Sequence, residues 1–129
     1  MTEPGNFEGD KNVEFNSLLV EARNIIGNMR PFFESLIINT NRVEILIITE
    51  HPSSKDLVEI IMESARSTEM WSLAIKGVDT VEKDFEQGEE NVETSIARLQ
   101  QMISYLEEYS PRIKACSQQL SQIIKQDQN

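Results

Sequence analysis

From Phe15 onward the large apolar residues return at intervals of three and four: Phe15, Leu18, Leu19, Ala22, Ile25, Ile26 and Met29, then Phe32, Phe33, Leu36, Val43, Leu46 and Ile47. That is the period of a helix that buries one face. Pro31 interrupts the pattern without changing its phase, and nine of the ten seven-residue-repeat positions between Phe15 and Leu46 are apolar, Asn39 being the exception. A proline that leaves the phase intact bends a helix more readily than it ends one. The spacing therefore predicts one kinked helix over about 13–49, with Asn12 or Asn16 as its cap.

Thr49-Glu-His-Pro-Ser-Ser-Lys reads as a short connection, with Ser53 or Ser54 as the next N-cap. A second stripe follows on Leu57, Ile60, Ile61, Ser64, Trp71, Ala74, Ile75, Val78, Val81 and Phe85, with Gly77 as a weak spot inside it. It ends where Gly88 can take the left-handed conformation that closes a helix. The third stripe runs over about 90–126, from Val92 through Ile96, Leu99, Met102, Ile103, Leu106, Tyr109, Ile113, Cys116, Leu120, Ile123 and Ile124, with Pro111 in its middle. Sixteen of the twenty seam positions between Leu57 and Ile123 are apolar, far above the 39% of the whole chain. The stripes are also wider than a coiled-coil seam, as in a globular bundle.

The predicted fold is all-α: an antiparallel bundle of three long helices, the first and third kinked at proline. A four-helix arrangement is the alternative if Pro31 breaks its helix. The heptad phase set by Phe15 runs through both connections, as it would in a single rod, but Pro52 and the Gln87-Gly88 turn would destabilise an exposed rod by several kcal/mol. Residues 1–11 hold Pro4, Gly5 and Gly9 with only Phe7 as a large apolar group, so they are expected to be a disordered tail. Residues 12–126 are then one helical-bundle domain, and 127–129 a disordered C-terminus.

Composition narrows the function. The chain has 129 residues and a net charge of −10, which opposes direct binding to nucleic acid. Its longest strongly apolar run, Ile45–Ile48, is far too short to cross a bilayer, and the N-terminus has no secretory pattern. A cytoplasmic, intracellular protein is expected. Chemistry is equally restricted. His51, the one histidine, precedes Pro52 in a loop, where a phosphate-accepting helix histidine would not lie, and a single histidine cannot supply a di-iron bundle. One histidine and one cysteine do not make a tetrahedral Cys/His zinc site. No Asp-x-Asp-x-Asp-Gly loop, P-loop or dinucleotide motif is present. Cys116 lies on the apolar stripe, Glu59 and Glu63 read as a solvated face, and Trp71 reads as core. No catalytic residue, metal ligand or cofactor is expected, and the chain is not expected to be an enzyme.

Two surfaces remain as candidates for protein partners. Asp79, Glu82, Asp84, Glu86, Glu89, Glu90 and Glu93 cluster around the second turn, with Lys83 the one base between Asp79 and Glu93. Such a patch can steer a basic partner. Ile113, Leu120, Ile123 and Ile124, with Cys116, form a C-terminal stripe that would fit a helix-binding groove if the bundle does not cover it. The expected function is that of a non-catalytic helical interaction protein: a structural or adaptor subunit joined through apolar helix faces to helical partners or to a second copy of itself. The alternative is an acidic regulator that occupies a basic surface of an enzyme or a nucleic-acid-binding protein.

Overall fold

The computed structural model describes residues 4–128. Three helices account for nearly all of them: α1 (Pro4–Thr49), α2 (Lys55–Glu86) and α3 (Val92–Gln128). Pro31 and Pro111 both lie inside continuous helices, so the three-helix reading holds and the four-helix alternative does not. Most of the stretch expected as a tail is helical: α1 begins at Pro4, and only residues 1–3 of that stretch lie outside the described part. Proline suits a first helical position, where no N–H is needed, and a helix already nucleated extends at one hydrogen bond per residue. At the other end α3 continues through Gln128, and Asn129 lies outside the described residues.

The connections follow local chemistry. Ser54 caps α2, its Oγ accepting from the Leu57 N–H at 3.4 Å. Gly88 adopts φ +70°, the one positive φ among the described residues, and closes α2 in a Schellman arrangement. Its N–H donates to Phe85 O at 3.1 Å, and the Glu89 N–H donates to Asp84 O at 3.1 Å. Asn91 then caps α3, its Oδ1 accepting from Thr94 N–H at 2.8 Å.

The residues group into two compact units, and each helix contributes a segment to both. Unit 1 is the chain up to Gly27 with Ser72–Glu107; unit 2 is Asn28–Trp71 with the chain from Glu108 onward. The divisions on α1 and α3 fall four residues before Pro31 and Pro111. That is where each proline deprives a carbonyl, Gly27 O and Glu107 O, of its helical donor.

In unit 1, Phe15 stacks on Phe85 with ring centroids 4.0 Å apart, and Ala22, Ala74, Val78, Val81, Ile96, Leu99, Ile103 and Leu106 are buried with them. In unit 2, Leu36, Val43, Trp71, Ile113 and Leu120 form the centre. There α1 and α3 run parallel: Lys114 lies over the Phe32 ring and Asn39 Nδ2 donates to Ser121 Oγ at 2.9 Å, both pairs 82 residues apart. The polar exceptions on the heptad seam, Asn39, Ser64, Ser67 and Ser95, are buried among the apolar positions. The repeat thus identifies the core side of each helix even where the residue is polar.

Candidate partner-binding surfaces

On α1 the buried apolar positions recur once per heptad, as Phe15, Ala22, Met29, Leu36 and Val43. A residue two further along lies about 200° around the helix at 100° per residue, on the opposite face. In unit 2 that opposite face is apolar. Ile38 and Ile45 are 53% and 60% exposed, Ile48 is 76% exposed, and Ile37 adds 40% at its edge. Glu34 and Asn41 are exposed among them as polar interruptions. In unit 1, Val13 and Val20 are exposed on α1 two turns apart.

The sequence reading missed this second face, although its signal was available. Ile45–Ile48 is a run of four apolar residues, and four consecutive helical residues span about 300°. No single buried face holds all four. Leu46 and Ile47 turn inward and are half-buried, leaving Ile45 and Ile48 outside.

The C-terminal stripe offers a helix ligand only where the bundle leaves it uncovered. Ile113 and Leu120 are fully buried within unit 2, and Ile123 and Ile124 are half-buried. Ile113 and Leu120 thus belong to the interior of their own unit, and Ile123 and Ile124 keep part of their surface in solvent. Cys116 belongs to the same interior. Burial pushes its thiol pKa up, the adjacent Glu63 charge adds to this, and the Ser64 and Ser67 hydroxyls oppose it. The result is an inert thiol. Trp71 is buried as expected of core, tilted against Phe33 with centroids 6.4 Å apart.

The acidic cluster divides into engaged and open members. Arg23 donates through Nη1 to Asp79 Oδ1 at 2.6 Å and through Nη2 to Glu82 Oε1 at 2.8 Å. Partial burial lowers the Arg23 pKa, but these two bonds outweigh it and leave it raised. Arg98 Nη1 bridges Asp84 Oδ2 at 3.0 Å and Glu90 Oε2 at 2.8 Å, which also raises its pKa. Glu90 accepts in addition from Ser95 Oγ at 3.0 Å. Four of the seven acids therefore fasten unit 1 together, and Glu86, Glu89 and Glu93 are exposed and form no ion pair among the described residues. A partner attracted by this cluster would meet about half the charge that its sequence suggests.

Among the described residues no helix is long and apolar enough to cross a membrane. Residues 39–126, two thirds of the chain, match the family model of the ANTH domain. No curated protein and no solved structure matches the chain.

Proposed function

The chain belongs to the ANTH domain family, and from that premise we propose that it is a non-catalytic adaptor subunit joined to a larger protein assembly through the outer face of α1. ANTH domains are helical, non-enzymatic adaptor domains that bind proteins and lipids. Charge favours protein as the partner class here. The chain carries −10 overall, and Arg23 and Arg98 are neutralised within unit 1, so an anionic membrane surface would repel most of the molecule.

The observation that carries this reading is the exposed apolar face of α1 in unit 2, Ile37, Ile38, Ile45 and Ile48, directly behind the buried Leu36 and Val43. A helix apolar on two opposite sides is characteristic of an interior position in a larger helical assembly. The partner contact expected of Ile113 and Leu120 passes to this face, because those two residues are occupied inside unit 2. The acidic-regulator reading loses support for a parallel reason: its strongest pairs of carboxylates already hold arginines of the same chain. Intracellular, cytoplasmic use of the adaptor is part of the proposal.

The test compares the full chain with an Ile38→Asp/Ile45→Asp variant. Both should melt alike, since the exposed side chains contribute little to the isolated fold. Only the wild type should gain mass with concentration in light scattering, or be cross-linked to a helical partner in cells. A monomeric wild type with no cross-linked partner, or a variant that keeps every partner, refutes the proposal.

A further inference from the structure

Glu50, His51 and Asp127 meet at one end of unit 2, where the turn after α1 faces the last turn of α3. His51 Nε2 lies 3.9 Å from Glu50 Oε2 and 3.8 Å from Asp127 Oδ1, and one donor atom from each of the three side chains falls within 4.8 Å of the other two. Two tetrahedral zinc ligands, each about 2.0–2.1 Å from the metal, stand roughly 3.3–3.4 Å apart. The His51 distances exceed this by about half an ångström and the two carboxylates are at most about 1.4 Å too far apart, a gap that rotations of exposed side chains close.

The backbone that presents the imidazole is fixed on both sides. The His51 N–H donates to Leu46 O at 3.1 Å and Ile47 O at 3.2 Å, and His51 O accepts from Ser54 N–H at 3.2 Å. His51 and Asp127 also line a hollow of about 270 Å³ with Leu46, Leu57 and Ile123 on its walls, so one side of the cluster is bounded by apolar surface.

Electrostatics favours a cation here. Glu50 follows the C-terminus of α1 and Asp127 lies in the last turn of α3, so both carboxylates stand at the negative ends of helix dipoles. The last turn of α1 holds no base. Lys125 lies in the last turn of α3, and Arg42 borders an adjoining hollow with Asp127, but neither closes an ion pair with these carboxylates. One imidazole nitrogen with two carboxylate oxygens is a donor set suited to zinc and its transition-metal neighbours more than to calcium or magnesium.

We propose that Glu50, His51 and Asp127 form a binding site for a zinc-class divalent cation that fastens the end of α3 to the α1–α2 turn, with water completing the coordination. The experiment titrates the full chain with zinc chloride against a chromophoric zinc indicator and follows thermal unfolding with zinc and with a chelator. One equivalent should bind and raise the melting temperature, while magnesium and calcium at the same concentration should not compete. His51→Ala and Asp127→Asn should each weaken binding at least ten-fold and leave the melting temperature in chelator unchanged, because both side chains are exposed. Cys116→Ser should retain the binding, which separates this site from the chain's one thiol. No bound zinc, or binding lost in Cys116→Ser but kept in His51→Ala, overturns the proposal.

Discussion

Gly77, half-buried on α2 in unit 1, faces Met102 of α3 so closely that an added Cβ would overlap Met102 Sδ and lie 3.2 Å from its Cγ. Two opposing effects decide the outcome of Gly77→Ala. Replacing glycine by alanine inside a helix stabilises by about 0.8–1.0 kcal/mol. Forcing a methyl into an occupied position costs about 1–3 kcal/mol, toward the low end here because a methionine side chain can swing aside. The net expectation is a loss of about 0–1 kcal/mol, against the sign of helix propensity. Met102→Ala alone should cost about 2 kcal/mol, the low end for a half-buried methionine. With the thioether gone, Gly77→Ala should deliver its full gain of about 1 kcal/mol. The double-mutant cycle therefore predicts a coupling of about 1–2 kcal/mol, read from urea denaturation of the four proteins at constant m-value. Additivity within about 0.5 kcal/mol, with Gly77→Ala stabilising the wild type, would refute the close approach of α2 and α3 at this point.

Trp71→Ala empties the largest fully buried side chain and should cost about 3–5 kcal/mol, a large share of a typical domain's 5–15 kcal/mol; near-normal melting would deny Trp71 its place in unit 2. Leu120→Asp buries a carboxylate without a partner and should abolish the cooperative unfolding of unit 2 by circular dichroism, whereas a fully folded variant would return Leu120 to the surface. Burial keeps the folded Cys116 thiol neutral above its ordinary value of 9.0, while the unfolded chain ionises there first. The stabilising share is complete below pH 9 and declines as pH rises toward the raised folded value. Cys116→Ala should remove that decline, and equal pH slopes in the two proteins above pH 9 would contradict the assignment.

Most of the fold was legible because seam periodicity is a direct consequence of burial. The seam polar residues Asn39, Ser64, Ser67 and Ser95 occupy the core positions their phase assigns, and Gly88 and Ser54 end and start α2 as their backbone and side-chain chemistry require. What sequence could not supply was pairing across helices. Asp79 and Asp84 look alike along the chain, and both look like Glu89. Only the packing of unit 1 brings Arg23 and Arg98 against the first two and leaves Glu89 in solvent. The start of α1 lies earlier than the apolar pattern indicates for another reason: residues 4–11 carry few apolar side chains to signal a helix, and a helix continuous with a packed segment needs no such signal to extend.

The buried polar residues also separate the two units by what their interiors specify. In unit 1, Ser95 is satisfied by Glu90, so the shared centre is otherwise apolar and depends on fit between side chains. In unit 2, Asn39 Nδ2 donates to Ser35 at 3.2 Å and to Ser121 at 2.9 Å, which ties α1 to α3 at a single register. Sliding either helix by one heptad would put Lys114 or Gln128 in the place of Ser121 opposite Asn39 and break that bond, at a cost of about 0.5–1.5 kcal/mol. Ser64 Oγ is the weak member of this interior: among the described residues it is buried without a partner in hydrogen-bond geometry. The register of α1 in unit 2 matters for function because it decides which isoleucines face out. A shift of two positions would bury Ile38 and Ile45 and expose Leu36 and Val43. Asn39 and Ser121 thus hold the inner face closed, and in doing so they keep the outer face of α1 available to a partner.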